Sequence, residues 1–402
     1  MAPAIPAALH DWLTHGLTGW GWLGISVYFL IVTQLTIFSV TLYLHRSQAH
    51  RAVDFHPALA HFFRFWTWLT TSMITREWAA IHRKHHARCE TVEDPHSPQI
   101  LGIGKVLREG AELYRAARDD RPSIEKYGKG CPDDWIERRL YAAHANWGPI
   151  LMLLVNLALL GVPGIAVWAV QMLWIPVWAA GVVNGLGHWS GYRNFQTDDT
   201  STNLSPWGVW IGGEELHNNH HAFPSSAKFA LRRWEFDIGW AAIRSLQTLR
   251  LAKVLRVAPS LDVRPNIALP DRETLKALLA HRFQAMTDYW RHVTLPALRA
   301  EIGRADGQPK LPRRLRKGLA DGGRWLDAAA REKLAAFVAH RPQLATLIEF
   351  RARLAAVLEE RSTDASASLQ RLQVWCAEAE ATGIRALQEF SARMKGYALA
   401  TR

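Results

Sequence analysis

Two long stretches without a charged side chain constrain this chain more than any other feature. No Lys, Arg, Asp or Glu occurs from Gly16 to His45 or from Leu140 to Tyr192. Runs of about 18 or more uncharged, mostly apolar residues are typical of membrane-spanning helices. The sequence therefore predicts an integral membrane protein whose first span covers residues 20–44.

The second stretch is too long for one crossing, and it is interrupted by "GVPG" at residues 161–164. We expect two spans here, at 145–161 and 165–187, joined as a hairpin. Residues 58–75 carry bulky apolar side chains at helical spacing together with His61 and Arg64. This pattern favours an amphipathic helix that lies in the membrane interface.

The predicted fold class is thus an all-α integral membrane protein with three transmembrane helices and one interfacial helix. A cleaved signal peptide is disfavoured because the first basic residue of the chain is Arg46, so no basic segment precedes the apolar run. All 48 Lys and Arg residues follow residue 45. The positive-inside rule therefore predicts that residues 1–19 are extracytoplasmic and that the polar segments after the first span are cytoplasmic.

A different composition begins near residue 258. Prolines occur at positions 259, 265 and 270, and the following segments are rich in Ala, Leu, Arg and Glu at helical spacing. We predict a membrane domain at 20–257 and a cytoplasmic helical extension at 258–402, for which the sequence suggests no function. Its basic stretch "KLPRRLRK", 310–317, is interpreted as a solvated helix face, and the net charge of +12 suits loops beside anionic lipid. No nucleic-acid partner is expected.

The three cysteines, Cys89, Cys131 and Cys376, have no paired spacing. They predict reduced thiols and no cysteine-based metal site.

Histidines are concentrated in three short segments. These are "HRSQAH" with His45 and His50, "HRKHH" with His82, His85 and His86, and "HNNHH" with His217, His220 and His221. Residues at i, i+3 and i+4 share one face of an α-helix, so each HxxHH segment directs three imidazoles to one side. Any single histidine is more often a packed core residue, but eight in three clusters at the predicted cytoplasmic ends of membrane segments indicate a metal site.

Imidazole is a common ligand of zinc, copper, iron and nickel. Eight nitrogen ligands exceed the four that a tetrahedral zinc ion accepts, so the count predicts two metal ions. Spacing alone does not exclude zinc. On a regular helix the rings of His45 and His50 diverge by about 140°, which predicts that they serve two different ions.

The three segments together resemble those of the membrane fatty acid desaturases, and most closely the acyl-CoA (stearoyl-CoA type) Δ9 desaturases. "EWAAIHRKHHARCETVEDPHSP" at 77–98 is similar to the second histidine box of that family, "GGEELHNNHHAFP" at 212–224 to the third, and "NGLGHWSGYRNF" at 184–195 to its Asn-x-x-x-His element. The resemblance covers roughly residues 20–255. The animal enzymes have a further span before the first box, and this chain has room for one only.

The resemblance implies a diiron centre that uses dioxygen and two electrons to introduce a cis double bond. The implied iron ligands are His45, His50, His82, His85, His86, His188, His217, His220 and His221. It further implies that Asn184 reaches one iron through water, and that the electrons come from a separate ferredoxin-, rubredoxin- or cytochrome-type protein. A bacterial cytoplasmic membrane with the active site on its cytoplasmic face is the expected location.

Other residues near these segments are weaker candidates for roles around the site. Trp78 and Trp189 are candidates for lining the acyl tunnel or its mouth. Basic residues that could meet an anionic headgroup such as the CoA phosphates are Arg76, Arg83, Lys84 and Arg193. Glu214 and Glu215 are candidates to orient a histidine ligand.

Two alternative functions remain at this level. A diiron alkane or lipid hydroxylase shares the arrangement of three histidine boxes, although usually with different first and third boxes. A histidine-rich metal transporter is disfavoured because transport sites usually lie near the bilayer midplane.

Overall fold

The first apolar stretch forms one continuous helix. In the computed structural model, which describes residues 6–304, 312–359 and 364–400, a short helix Ala7–His15 is followed by the α-helix Trp22–Phe38. That helix continues as a π-helix over Ser39–Ala49, and the two together contain 28 residues, of which the most apolar 18-residue stretch has a mean hydropathy of 1.9. The N-terminal half exposes apolar side chains such as Leu23 and Leu30, as expected for a face in contact with lipid.

The second apolar stretch is a pair of helices. Trp147–Leu160 ends at Gly161, which has a φ of +67°. Pro163–Ile175 follows and continues as the π-helix Pro176–Leu186, giving a helix of 24 residues. Glycine adopts the positive φ of this turn without steric cost.

Two helices of the described residues, and not the predicted three, are long and apolar enough to cross a membrane. They are Trp22–Ala49 and Pro163–Leu186. The predicted span at 145–161 is the helix Trp147–Leu160, whose 14 residues extend about 21 Å, less than the roughly 30 Å of a hydrocarbon core. The sequence predicted too long a helix here, because a charge-free stretch does not show where a helix begins and ends.

The predicted interfacial helix at 58–75 is shorter than expected. It runs from Pro57 to Thr71, and Ser72 then adopts a left-handed conformation with a φ of 59°. The chain turns there into the next helix, Thr75–Arg88. This second helix packs along the π-helical end of the helix Trp22–Ala49.

Short elements complete the first compact unit, which comprises Met1–Arg193 and Asp199–Ala258. Its remaining helical segments are Pro98–Leu101, Ile103–Asp119, Arg121–Tyr127, Glu137–Tyr141, Glu214–Leu216, His217–Ala222 and Ile238–Thr248. Val53–Phe55 pairs antiparallel with Ala252–Val254, and Trp207–Gly208 pairs parallel with Phe236–Asp237. The fold is therefore mostly helical, but the all-α prediction missed these small ladders, whose strands of two or three residues leave no pattern in the sequence.

The second compact unit contains residues 194–198 and Pro259–Arg402. It is built from the helices Arg272–Ala280, Arg282–Tyr289, Trp290–Thr294, Leu295–Arg304, Arg313–Ala320, Ala328–Ala339, Pro342–Glu359, Ala365–Ala381 and Arg385–Lys395. One antiparallel ladder joins Leu261–Val263 to Tyr397–Leu399. Tyr289, Trp375 and Phe390 pack edge to face in its core. The first two residues of the basic stretch 310–317 lie outside the described residues.

Candidate metal centre

Four segments of the first unit carry the nine histidines to one place. His45 lies on the π-helical end of the helix Trp22–Ala49, and His50 is the residue that ends this helix. The helix Thr75–Arg88 contributes three histidines, and the short helix His217–Ala222 contributes three more. His188 follows the π-helix Pro176–Leu186 by two residues.

Five imidazoles form a first group, which we call the five-histidine group. It consists of His45, His50, His82, His86 and His220, whose ligand atoms all lie within 4.8 Å of one another. The Nε2 atom of His220 is 3.0 Å from that of His45 and 2.9 Å from that of His86. The Nε2 atom of His82 is 2.8 Å from that of His50 and 3.1 Å from that of His86.

The other four imidazoles form a second group beside the first, the four-histidine group. It consists of His85, His188, His217 and His221. The Nε2 atoms of His188 and His217 are 2.9 Å apart. The rings of His85 and His221 lie 4.9 and 4.7 Å from that of His188, centre to centre. His221 stacks on His86 with ring centres 4.4 Å apart, so the two groups are in direct contact.

His45 and His50 belong to the same group, contrary to the expectation that they serve different ions. The physical reason is the π-helix, whose hydrogen bonds join residue i to i+5. The amide of His50 donates to the carbonyl of His45 at 3.1 Å. Five residues are then close to one full turn, so both rings face the same side, whereas the calculation for a regular α-helix placed them apart.

Carboxylates, three of them buried and one partly buried, lie behind four of the imidazoles, on the side opposite the cluster. The Nδ1 atoms of His45, His85, His188 and His221 lie 2.7–3.0 Å from carboxylate oxygens of Glu214, Asp94, Glu90 and Asp199, in that order. Such a carboxylate holds the proton on Nδ1 and leaves the Nε2 lone pair free to bind a metal. Thr41 donates a further hydrogen bond to Glu214, and Thr200 donates one to Glu90.

Sequence reasoning missed three of these four carboxylates. Glu90 and Asp94 lie within the quoted segment 77–98, four and eight residues after His86, although Glu90 orients the distant His188; Asp199 lies in "TDDT". Their proximity to the second box was a usable signal for Glu90 and Asp94. No spacing rule pointed to Asp199, because its contact with His221 depends on the tertiary fold.

The site favours uncharged imidazoles. Burial, reinforced by neighbouring imidazoles, lowers the pKa of five histidines well below the ordinary value; these are His50, His82, His86, His217 and His220. Burial also lowers the pKa of His221, to about 4, although Asp199 opposes the shift. Burial lowers the pKa of His85 as well, but the charge and hydrogen bond of Asp94 outweigh it and leave that pKa raised. Neutral imidazole is the form that binds a metal.

The donor set fits two metal ions. Nitrogen lone pairs that face each other at 2.8–3.1 Å repel unless a proton or a cation lies between them. The Nε2 atom of His221, whose Nδ1 atom is held by Asp199, is buried without a hydrogen-bond partner. Leaving such an atom unpaired costs about 1–3 kcal/mol. A metal ion in each group would satisfy the converging nitrogens.

The remaining residues predicted near the metals have mixed positions. Trp78 stacks on His82, with ring centres 5.1 Å apart, and so forms part of the wall. Asn184 is half-buried on the helix that leads to His188, and its side-chain amide makes no hydrogen bond to the described residues. Glu215 orients no histidine. Its carboxylate accepts hydrogen bonds from the backbone amides of Trp210, Ile211 and Gly213 and thereby fixes the loop before His217. Trp189 is 49 % exposed.

Two of the four predicted headgroup-binding residues already form hydrogen bonds or an ion pair with other groups of the protein. Arg83 donates to the carbonyls of Gln48, Ala49, Tyr127 and Lys129. Lys84 forms an ion pair with Asp120 at 2.8 Å. Arg76 and Arg193 are both half-buried.

Cys89 and His96 adjoin the four-histidine group, although neither was predicted there. The Cys89 sulfur lies 3.9 Å from Nε2 of His85 and 3.9 Å from Nδ1 of His188. The cysteine spacing predicted no cysteine-based metal site, whereas the structure places the Cys89 sulfur within 4.8 Å of ligand nitrogens of His85, His188 and His221. His96 stacks on His85 with ring centres 4.4 Å apart.

Comparison with known proteins agrees with this geometry. The fatty acid desaturase family model matches residues 20–247. The chain is 28 % identical over 245 residues to a Delta-9 acyl-lipid desaturase 1 of Arabidopsis thaliana, covering 60 % of this chain and 77 % of the relative. It is 28 % identical over 249 residues to an sn-1 stearoyl-lipid 9-desaturase of Anabaena variabilis, covering 60 % and 87 %.

A third relative is named for an acyl-CoA substrate, whereas the first two are named for acyl-lipid substrates. The chain is 30 % identical over 221 residues to an icosanoyl-CoA 5-desaturase of Limnanthes douglasii, covering 54 % of this chain and 60 % of the relative. The family match includes every histidine of both groups. Since it extends over more than half of the chain, the protein belongs to the fatty acid desaturase family and is an oxidoreductase that acts on paired donors with oxygen.

Proposed function

We propose that this protein is a Δ9 fatty acyl desaturase that holds two iron ions with its nine clustered histidines and acts on acyl chains of membrane lipids. The observation that carries the proposal is the convergence of the imidazole nitrogens in two adjoining groups, four of them backed by carboxylates. The Δ9 position is supported by the names of the two relatives with the Delta-9 activity.

The chemistry of the family favours iron over zinc. An oxygen-dependent desaturation needs a redox-active metal, and zinc has no redox chemistry. Bound iron would supply the dioxygen-dependent oxidation that removes two hydrogens from an unactivated pair of methylenes.

The protein's own residues then position the acyl chain and exclude water. Glu214, Asp94, Glu90 and Asp199 fix the orientation of four ligand rings. Trp78 covers His82 and, at 5.8 Å between ring centres, also contacts His45. A methylene has no polarity for an enzyme to recognise, so we infer that an apolar wall of this kind selects the reacting carbons by position.

The electrons come from a separate protein in this proposal. The sequence has no motif for haem or an iron–sulfur cluster. We therefore keep a ferredoxin-, rubredoxin- or cytochrome-type donor as the expected partner.

The choice of a lipid-borne acyl chain revises the initial expectation of acyl-CoA. Two of the basic residues expected to meet CoA phosphates, Arg83 and Lys84, already bind protein groups. The two Delta-9 relatives are named for lipid substrates. Both observations favour a glycerolipid substrate, which reaches the enzyme from within the bilayer.

A topology follows if the two long apolar helices cross the membrane. Both run towards the metal centre, because His45 lies near the end of the first and His188 follows the second. The chain must then cross back between them. Trp147–Leu160 alone is shorter than the hydrocarbon core, so we infer that residues flanking it complete the return. The helix supports this return because the backbone amide of Leu17 donates to the Ala158 carbonyl on the side remote from the histidines. We propose three crossings, with the metal centre on the cytoplasmic face of a bacterial inner membrane.

Expression in a host that lacks unsaturated fatty acids tests the function. We expect monounsaturated lipids with the double bond at carbon 9, formed first in intact glycerolipids after a short pulse of labelled acyl chains. His188→Ala should abolish the product, and His10→Ala, at an exposed position of the first helix, should retain it. An added oxygen atom without unsaturation would instead identify a hydroxylase. A double bond that appears first in labelled acyl-CoA, before it appears in glycerolipids, would overturn the lipid substrate.

A further inference from the structure

A group of exposed apolar side chains lies beside the metal centre and takes no part in it. We call it the aromatic surface; its members and their exposed fractions are Trp207 (62 %), Val209 (37 %), Trp210 (72 %), Trp234 (53 %) and Phe236 (41 %). Single exposed apolar residues are ordinary, but a contiguous patch marks an interaction surface.

The small parallel ladder turns two of these side chains, those of Trp207 and Phe236, outward. Trp207 pairs with Phe236, and Gly208 pairs with Asp237. Neighbours in a ladder share a face and successive residues alternate. Gly208 and Asp237 are accordingly buried, while Trp207 and Phe236 are exposed together. The buried face is tied to the first span, because Asp237 forms a bidentate ion pair with Arg46.

The aromatic surface is held at a defined level along the span. The Gly212 carbonyl accepts hydrogen bonds from Thr41 at 3.3 Å and from Arg46 at 3.0 Å, and both donors belong to the helix that begins at Trp22. From Trp22 to Thr41 the helix is about 28 Å long at 1.5 Å per residue. The hydrocarbon core of a bilayer is about 30 Å thick. When Trp22 is placed at one edge of the hydrocarbon core, Gly212 and the loop that contains it lie at the opposite edge, where the headgroups begin.

From this placement we propose that the aromatic surface docks into the headgroup layer of the bilayer and binds phospholipid there. Tryptophan favours this layer, where its ring is apolar and its N–H remains hydrated. The exposed Arg233 and Arg244 on the neighbouring segments match anionic headgroups. The contact anchors the loop before His217, and so holds the metal centre at the depth where lipid acyl chains begin. The inference rests on the membrane insertion proposed above.

Spin labels at three positions test this docking in bilayer nanodiscs of phosphatidylcholine and phosphatidylglycerol. Trp210→Cys probes the aromatic surface, Leu30→Cys the exposed face of the first span, and Val374→Cys an exposed site on Ala365–Ala381 in the second unit. Collisions with a water-soluble nickel chelate and with oxygen are measured for each label. The parent protein, with its native cysteines, supplies the background, and Trp207→Cys replaces Trp210→Cys if metal content shows that the latter has not folded.

We expect the label at 210 to collide with the nickel chelate several-fold less often than the label at 374, and with oxygen more often. Equal nickel accessibility at 210 and 374, with position 30 shielded, would overturn the docking but leave the membrane insertion intact. Nickel accessibility at position 30 would instead refute the insertion itself. A label at 210 that becomes shielded only when an electron-donor protein is added would assign the surface to a protein partner and overturn the proposal.

Discussion

At the scale of single residues, the carboxylates behind the histidines determine how firmly metal is held. Asp94 accepts from Nδ1 of His85 at 2.9 Å and also from the amides of Glu90 and His96. Asp94→Asn keeps the shape of the side chain but removes the negative charge that fixes the orientation of the His85 ring. We expect metal affinity at the four-histidine group to fall about 10- to 100-fold, measured by competition with a chelator. Glu93→Gln, at an exposed neighbour, is the matched control, and equal affinities in the two variants would contradict this role.

A second prediction concerns Glu137, away from the metals. Burial raises the pKa of Glu137 from 4.5 to about 7, against the opposing charge of Arg64, and neither carboxylate oxygen accepts a hydrogen bond. The folded state therefore holds a proton that the unfolded state loses between pH 4.5 and 7, and stability falls as the pH rises through that window. Glu137→Gln should raise the melting temperature at pH 8 and change it little at pH 5.

The control for Glu137 is Asp133→Asn, a nearby exposed carboxylate. Thermal melts of both variants in detergent, at several pH values, give the comparison. A Glu137→Gln protein whose melting temperature keeps the wild-type dependence on pH would show that this carboxyl is ionised in the folded state.

At the scale of elements, backbone turns decide whether the histidine segments meet. Gly212 has a φ of +70°, and a Cβ atom there would lie 2.5 Å from Cγ2 of Thr41 on the first span. Gly212→Ala therefore combines a left-handed strain of about 1–2 kcal/mol with overpacking of about 1–3 kcal/mol. We expect a lower melting temperature and weaker metal binding, since the loop leads directly to His217.

Gly19 supplies the comparison for Gly212. Its φ is +63°, close to that of Gly212, but a Cβ atom there meets nothing within 4 Å. Gly19→Ala should show the strain alone, so the difference between the two melting temperatures measures the contact with Thr41. If both alanine variants lost the same stability, the close approach of Gly212 to Thr41 would not be important for the fold.

These elements also show what the sequence could and could not predict. Spacing alone located eight of the histidines, because i, i+3 and i+4 positions share a helix face whatever surrounds them. His188 required the family resemblance. No local sequence pattern predicted the π-helix that brings His45 and His50 together. None predicted that the helix Trp147–Leu160 would be shorter than the expected span. Helix type and helix termini depend on packing, which a run of apolar letters does not record.

At the scale of the whole molecule, the bound metals should stabilise one unit and not the other. Both histidine groups lie within the first unit, Met1–Arg193 with Asp199–Ala258, and no histidine cluster occurs among the described residues of the second. A ligand present at 100 times its dissociation constant stabilises the folded state by about 2.7 kcal/mol. Two ions held this tightly would correspond to a rise of about 10 °C or more in the melting temperature.

Removal of metal with a chelator tests this distribution. Without cations, the buried nitrogens that face each other at 2.8–3.1 Å repel, so the segments that carry them should separate first. We expect two metal ions per chain by elemental analysis before treatment. After treatment, hydrogen exchange should increase in Thr75–Arg88 and His217–Ala222 and stay unchanged in Ala365–Ala381, which serves as the control within the same molecule. Uniform exchange along the chain, or a single ion per chain, would contradict a centre built from two separate groups of imidazoles.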